Sequence, residues 1–172
     1  EAFDADLSAW NMASVADMSW MFNTAFSFNA DISNWDVSGA RDMSYMFSFA
    51  TSFDQDIGDW DVSGVTDMGG MFSSASRFNQ DLGAWDVSSV TDMNRMFEKA
   101  DAFDQDLSGW DVSRVTDLSY MFLETSYNKP LGSWSVGAVR TFKYMFYVNS
   151  SFNQDISDWN VSGVTNMNSA FK

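Results

Sequence analysis

Tryptophan recurs in this chain at an almost fixed interval, and this period constrains the fold more than any other feature. Successive members of the series lie 25, 25, 25, 25, 24 and 25 residues apart: Trp10, Trp35, Trp60, Trp85, Trp110, Trp134 and Trp159. An aromatic residue precedes each of them by seven positions, and a phenylalanine follows each by twelve. Such a period is typical of a tandem array whose units bury their apolar residues against each other. It predicts a single solenoid domain over 1–172 with seven repeats: 3–27, 28–52, 53–77, 78–102, 103–126, 127–151 and 152–172.

The spacing of apolar residues changes within each repeat. In "LGAWDV" the alternation of Trp85, Asp86 and Val87 predicts a short strand with Trp85 and Val87 facing inward. Helical spacing follows, with Asp92 in the first turn of the predicted helix, at Val90, Met93, Met96, Phe97 and Ala100. Parallel crossovers are right-handed. We therefore expect an α/β repeat solenoid: a right-handed coil with a parallel sheet on one side and short helices on the other.

Composition excludes several classes of function. The net charge of −15 opposes binding to nucleic acids. The chain has no cysteine and no histidine, so it lacks thiolate chemistry and the commonest general base. It contains no apolar stretch that predicts a membrane span, so direct membrane insertion is not expected. Because the chain begins with Glu1 and not with methionine, we expect a fragment of a larger protein.

The repeat resembles a known family. Leu82-x-x-Trp85-x-Val87 has the L-x-x-L-x-L shape of a leucine-rich repeat, with tryptophan in the middle position. The whole unit "FNQDLGAWDVSSVTDMNRMF" resembles the bacterial surface-protein repeat of the BspA-like, leucine-rich-repeat-related family, also called DUF285. The resemblance covers essentially the whole chain. It implies a leucine-rich-repeat-like coil, an extracellular position on the cell surface, a role in attachment, and no shared catalytic residues.

Tryptophan and methionine positions are interpreted as core. A tryptophan column could also serve as a stacking platform for sugars or bases. Each repeat tryptophan, however, occupies an inward position, where large aromatic residues chiefly supply buried area. The methionine column is interpreted as core filling and not as a metal site: Met18, Met43, Met68 and Met93.

Two rows of aspartates are candidate sites. The first row follows the tryptophans and is expected to face outward: Asp36, Asp61, Asp86 and Asp111. Its like charges need an offset, either hydrogen bonds from serine hydroxyls and N–H groups, with each aspartate bonded to the adjacent coil, or Ca²⁺. The second row lies four residues before tryptophan: Asp6, Asp31, Asp56, Asp81, Asp106 and Asp155. Hydrogen-bonded turn aspartates are favoured there. Ca²⁺ is the alternative at Asp31, Asp56, Asp81 and Asp106, although the D-x-D-x-D-G loop is missing.

The position ten residues after tryptophan carries several aromatic residues. Its occupants are Trp20, Tyr45, Gly70, Arg95, Tyr120 and Tyr144. A position that accepts glycine and arginine is expected to be partly open to solvent. Exposed aromatics there could form a binding strip, or pack partly between neighbouring helices. The candidate ligand-binding residues are therefore Trp20, Tyr45, Tyr120 and Tyr144 together with the first aspartate row, and the aspartate row is the favoured contact.

The sixth repeat differs from the others. It contains Lys129, Arg140 and Lys143 and no acidic residue. Its cations could form a docking patch for an acidic partner, or reflect drift in a tolerant array.

Two functions remain open. The first is a non-catalytic adhesion module that binds a glycan or a protein on a host or another surface. The second is a structural spacer within a large adhesin, with no ligand of its own. An enzyme is not expected, because carboxylates repeated in most units do not form one unique acid–base site.

Overall fold

The backbone of this chain is built from turns and irregular segments. The computed structural model describes residues 3–172, so Glu1, on which the expectation of a fragment rests, lies outside the described residues. In residues 3–172 there is no helix, and regular strand is limited to single bridging residues. Six parallel bridges link seven of them in order: Asp17, Asp42, Asp67, Asp92, Asp117, Thr141 and Asn166. The predicted α/β solenoid with a parallel sheet and short helices is therefore wrong. No helix in the described range is long and apolar enough to cross a membrane.

The segment predicted to be a helix is a run of turns joined to the next repeat. Every second N–H group bonds locally, as where Met96 donates to the Met93 carbonyl at 3.2 Å and Ala100 donates to the Phe97 carbonyl at 3.1 Å. The intervening N–H groups cross to the following repeat at 2.8–3.2 Å, from Met93, Arg95, Phe97 and Lys99 to the carbonyls of Asp117, Ser119, Met121 and Leu123. This alternation satisfies the backbone without a helix.

Left-handed residues explain why the helix does not form. Arg95 and Lys99 have φ values of 56° and 54°, which no right-handed helix can contain. A short isolated helix of this length is marginal in water, whereas the run of turns is bonded to a neighbouring repeat. The same φ range recurs ten and fourteen residues after the repeat tryptophans: Trp20, Tyr45, Gly70, Arg95, Tyr120, Tyr144 and Ser169, and Thr24, Phe49, Ser74, Lys99, Glu124 and Val148.

The segment predicted to be a strand is irregular backbone between two turns. The Trp85 N–H donates to the Leu82 carbonyl at 3.1 Å, and the Val90 N–H donates to the Val87 carbonyl at 2.9 Å. Trp85 and Val87 are buried and Asp86 is exposed. The predicted alternation of burial is thus confirmed, although the backbone that produces it is not a strand.

Tryptophans form the core column that the sequence predicts. Trp85 is 3% exposed, and its indole N–H donates to the Ile57 carbonyl of the preceding repeat at 3.0 Å. Equivalent indole bonds of 2.9–3.2 Å recur at Trp35, Trp60, Trp110, Trp134 and Trp159. Trp10 stacks on Trp35 with ring centroids 6.3 Å apart but is 51% exposed. From Trp35 to Trp159, each repeat tryptophan therefore combines apolar burial with a hydrogen bond between repeats.

Phenylalanines and methionines fill the rest of the interior. Phe97 lies 3.9 Å from Phe103 and 5.7 Å from Phe72, measured between ring centroids, so the rings continue from repeat to repeat. The predicted methionine core is confirmed, since each member is 0–2% exposed: Met18, Met43, Met68 and Met93.

A row of carboxylate and amide side chains bonds neighbouring repeats along one edge. The Asn79 N–H donates to Asp54 Oδ1 at 3.0 Å, and the Asp104 N–H donates to Asn79 Oδ1 at 3.0 Å. The row alternates over most of its length: Asp4, Asn29, Asp54, Asn79, Asp104, Asn128 and Asn153. Because a neutral amide separates the carboxylates, adjacent like charges are avoided.

Candidate functional site

The residues ten positions after tryptophan form a row of stacked side chains. Trp20 and Tyr45 stack with ring centroids 4.3 Å apart. The Arg95 guanidinium lies 4.0 Å from the centre of the Tyr120 ring, and Tyr120 stacks on Tyr144 at 5.2 Å. The predicted partial packing is therefore present, but it joins turns and not helices. These side chains remain at least partly exposed.

Gly70 interrupts this row. Its φ of 62° matches that of the aromatic residues at the same position. A Cβ added at Gly70 would collide with the ring of Tyr45, so that ring lies over the glycine. Between Tyr45 and Arg95 the row consequently lacks a side chain of its own.

A groove of about 430 Å³ opens at this interruption. Its walls include Trp20 and Phe49, which are 55% and 46% exposed, and Tyr45. The complete lining is Trp20, Asn23, Thr24, Tyr45, Ser48, Phe49, Ser73, Ser74, Arg95, Glu98 and Lys99. The groove thus spans the first four repeats and combines exposed aromatic surface with polar groups.

Buried polar side chains contribute to the groove lining. Ser48 and Ser73 are only 2% and 5% exposed. The Asn23 side-chain amide donates to the Ser48 carbonyl at 3.3 Å, and the Ser73 hydroxyl lies 3.5 Å from Glu98 Oε2. These contacts fix the positions of polar groups beside the aromatic walls.

Charged groups at one end of the groove are paired. Arg95 Nη1 lies 2.8 Å from Glu98 Oε2, and Lys99 Nζ lies 3.4 Å from Glu124 Oε1. Glu98 is the more buried partner, with 14% of its side chain exposed against 35% for Arg95. A charge-assisted guanidinium–carboxylate hydrogen bond therefore borders the groove.

The first aspartate row is held by serines of its own repeat. Asp61 Oδ1 accepts the Ser63 hydroxyl at 2.6 Å and the Ser63 N–H at 3.1 Å. These bonds, the hydroxyl first, lower the pKa of Asp61 below its ordinary value. The same causes lower the pKa of Asp36, Asp86 and Asp111. The expected offset by serine and N–H donors is confirmed, but the expected bond to the adjacent coil is wrong. None of the four lines the groove.

The second aspartate row also forms turns. Asp31, Asp56, Asp81 and Asp106 each accept the N–H two residues further on, at 2.8–3.0 Å. The hydrogen-bonded turn interpretation is confirmed for these residues. Over residues 3–172 no group of three or more histidine, cysteine or acidic side chains is arranged to hold a metal ion.

A third aspartate column lies on the parallel bridges and was missed at the level of sequence. Asp67 bridges to Asp42 and Asp92. Burial, with a smaller contribution from the charges of Asp92 and Asp42, raises the pKa of Asp67, although the Gly69 N–H opposes this shift. Asp92 was expected in the first turn of a helix; it lies instead on a bridge. The helical spacing of the apolar residues around Asp92 led to the prediction of a helix, and the aspartate column was therefore not recognised.

The cations of the sixth repeat have local partners. Lys129 Nζ lies 2.9 Å from Asp104 Oδ2, and Arg140 Nη1 donates to the Val139 carbonyl at 3.3 Å. Lys143 Nζ lies 5.5 Å and 5.6 Å from the ring centres of Tyr120 and Tyr144. These contacts give each cation a role within the array.

Sequence reasoning identified part of the groove. Trp20 and Tyr45 were predicted as ligand-binding residues and lie in its walls, whereas Tyr120 and Tyr144 lie outside it. The position fourteen residues after tryptophan, which contributes Phe49, was missed. Its occupants are as varied as those of the aromatic row: Thr24, Phe49, Ser74, Lys99, Glu124 and Val148. The same reasoning, that a repeat position with varied residue types is open to solvent, would have identified this position too.

Comparison with known proteins identifies one family. A family model described as "Mycoplasma protein of unknown function, DUF285" matches residues 1–108 and 77–172, which together span the chain. No curated protein and no solved structure matches this chain.

Proposed function

Since the chain belongs to the DUF285 family, as the sequence resemblance predicted, we propose that it is a non-catalytic ligand-binding module of a bacterial cell-surface adhesin. The groove of the first four repeats holds the ligand, a glycan or a protein on a host or another surface. The observation that carries this proposal is the exposure of Trp20 and Phe49 in the walls of one concave site. Ligand sites generally combine such apolar surface with a few fixed polar groups.

The groove supports binding better than the aspartate row does. Binding energy concentrates in a few aromatic and arginine residues, and the groove contains Trp20, Tyr45 and Arg95 together. Each carboxylate of the row already accepts an N–H two residues further on, as Asp86 does from Ser88 at 3.0 Å. A ligand would have to compete with water for the remaining exposed oxygens.

The test compares three variants in binding to a panel of surface glycans and host extracellular proteins. One changes Trp20 and Phe49 to serine, and the second changes the four aspartates of the row to asparagine. The matched control changes Tyr144 and Val148 to serine, at the same two repeat positions outside the groove. We expect the groove variant to lose at least about tenfold in affinity and the others to change by less than about twofold.

The alternative is a structural spacer with no ligand of its own. It is favoured by the backbone hydrogen bonds, which repeat with little change from the first repeat to the last. If circular dichroism shows all variants folded and all bind as the parent does, or the parent binds nothing on the panel, the spacer becomes the better account.

A further inference from the structure

We infer that the groove takes an uncharged, polyhydroxylated ligand, namely a neutral oligosaccharide. This inference rests on the proposed function and names the ligand class of the same groove. Four features carry it: the charge balance, the neighbouring donors and acceptors, the exposed aromatic walls, and the backbone N–H groups that are already paired.

Charge balance disfavours both acidic and basic ligands. The chain as a whole carries −15, so its long-range field repels anions. At the groove, Arg95 and Lys99 are paired with Glu98 and Glu124, two positive and two negative charges that sum to zero. A basic ligand would meet Arg95 and Lys99 directly, and an acidic ligand would have to displace a carboxylate already bonded at 2.8 Å. A ligand without charge avoids both costs.

The paired groups are suited to hydroxyl groups. A guanidinium has five N–H donors, so its contact with Glu98 leaves donors that a ligand oxygen can accept. A carboxylate has several lone pairs, and Glu98 can therefore accept a further O–H. Adjacent hydroxyls on a sugar ring act as donor and acceptor at once. The Arg95–Glu98 pair presents the complementary groups side by side.

The aromatic walls are suited to the apolar faces of sugar rings. Trp20 stacks one face on Tyr45 yet remains 55% exposed, and Phe49 is 46% exposed. Burying these surfaces against ring C–H groups gains hydrophobic and dispersion energy without a charge. The volume of about 430 Å³ lies in the range of sites for small molecules and short oligosaccharides.

An extended peptide has no backbone edge to bind in this groove. The N–H groups of Trp20, Tyr45 and Gly70 donate to the next repeat at 2.7–2.9 Å. Strand addition needs unpaired backbone groups at the binding surface. The occupied backbone therefore favours a ligand held by side chains.

The experiment titrates the chain with three sets of probes under the same conditions. The first set contains neutral oligosaccharides of glucose, galactose, mannose and N-acetylglucosamine. The second contains counterparts bearing uronate, sialate or sulfate groups, and the third contains lysine-rich and glutamate-rich peptides. We expect at least one neutral probe to bind at least about tenfold more tightly than its charged counterpart. Its affinity should change little with ionic strength, because no net charge is neutralised.

Two variants test the hydroxyl-binding pair. Arg95→Gln and Glu98→Gln should each weaken the neutral probe by about tenfold, because each removes a charge-assisted bond. The matched control is Arg77→Gln, which alters an exposed arginine outside the groove and should leave affinity unchanged.

The outcomes separate this inference from the proposed function. Tight binding of an acidic glycan or a peptide that is lost in the Trp20/Phe49 serine variant would overturn the neutral-sugar inference but retain the groove as a binding site. Binding of no probe from any set would overturn the neutral-sugar inference and leave the proposed function to the panel of host proteins. Binding that the serine variant leaves unchanged would overturn both.

Discussion

Two ends of the same surface share a backbone conformation and differ in the side chains that it carries. Toward the C-terminal end, Tyr120 stacks on Tyr144, and Tyr144 meets Tyr147 edge-on at 5.0 Å, so the row is filled. Toward the N-terminal end, Gly70 leaves a place without a side chain, and the groove opens beside it. The φ values at the shared position nevertheless lie between 50° and 62° throughout. A uniform framework can therefore carry a local site through side-chain choice alone.

The framework and the groove should respond very differently to loss of a tryptophan. Trp85 is 3% exposed and donates to Ile57, so Trp85→Ala should lower the free energy of unfolding by about 3–5 kcal/mol. Trp20→Ala removes a side chain that is 55% exposed and should cost less than about 1 kcal/mol. Denaturant unfolding of both variants measures the difference. Similar losses would show that the row belongs to the core.

Tyr127 offers a way to strengthen the framework. Its hydroxyl is buried beside the Leu107 backbone but makes no hydrogen bond of good geometry in the described part of the chain. The matching positions of the preceding repeats carry phenylalanine, as at Phe78 and Phe103. Tyr127→Phe should therefore raise the free energy of unfolding by about 1 kcal/mol, since an unsatisfied buried group is removed. A loss of stability would indicate that the hydroxyl is bonded in solution.

A smaller effect on stability is expected at two aspartates of the third repeat, Asp67 and Asp61, whose pKa values shift in opposite directions. The raised pKa of Asp67 means that its ionised form opposes folding at neutral pH, and that protonation on acidification relieves this penalty. Asp67→Asn should gain about 0.5 kcal/mol at pH 7, because it removes a half-buried charge and, as a smaller contribution, the repulsion from Asp92 and Asp42 across the bridges. The gain should vanish in acid, where Asp67 is already neutral. An asparagine can keep the turn bond, as Asn166 does to the Asn168 N–H at 3.0 Å.

Asp61 is the matched control for this pH dependence. Its pKa is lowered, so its contribution to stability is present above the ordinary carboxyl value of 3.8 and is lost as the pH falls through the lower folded value. Asp61→Asn should therefore reduce stability slightly at pH 7, opposite in sign to Asp67→Asn. Thermal unfolding at pH 7 and at pH 3 checks both signs. If both substitutions changed stability in the same direction at pH 7, the opposite pKa shifts assigned to Asp67 and Asp61 would be wrong.

The sequence predicted what depends on burial and failed on what depends on backbone conformation. The 25-residue period located Trp85, Phe97 and Met93 in the core, because buried positions must recur with the repeat. The same buried positions suit a helix or a run of tight turns, so apolar spacing could not separate the two. Left-handed residues such as Arg95 and Lys99 are unfavourable for ordinary side chains, and nothing in their identity signals that conformation.

The candidate site was predicted in part for the same reason. Variability at one position indicated that Trp20 and Tyr45 were open to solvent. The proximity of Phe49, Ser73 and Glu98 depends on turns whose direction the sequence does not reveal. The aspartate row was favoured because solenoids usually bind on their concave side, which was expected to be the sheet face, and there is no sheet in residues 3–172.

Replacing Gly70 by tyrosine tests the central claim most directly. Tyrosine occupies the equivalent place at Tyr45, Tyr120 and Tyr144 with φ values of 53–61°, so Gly70→Tyr extends the existing row once the Tyr45 ring, which lies over Gly70, rotates aside. The left-handed conformation should cost about 1–2 kcal/mol, and the variant should remain folded. Affinity for the neutral oligosaccharide, measured by titration calorimetry, should fall at least about tenfold because the groove is filled. A folded Gly70→Tyr variant that binds as tightly as the parent would contradict the assignment of the groove as the ligand site.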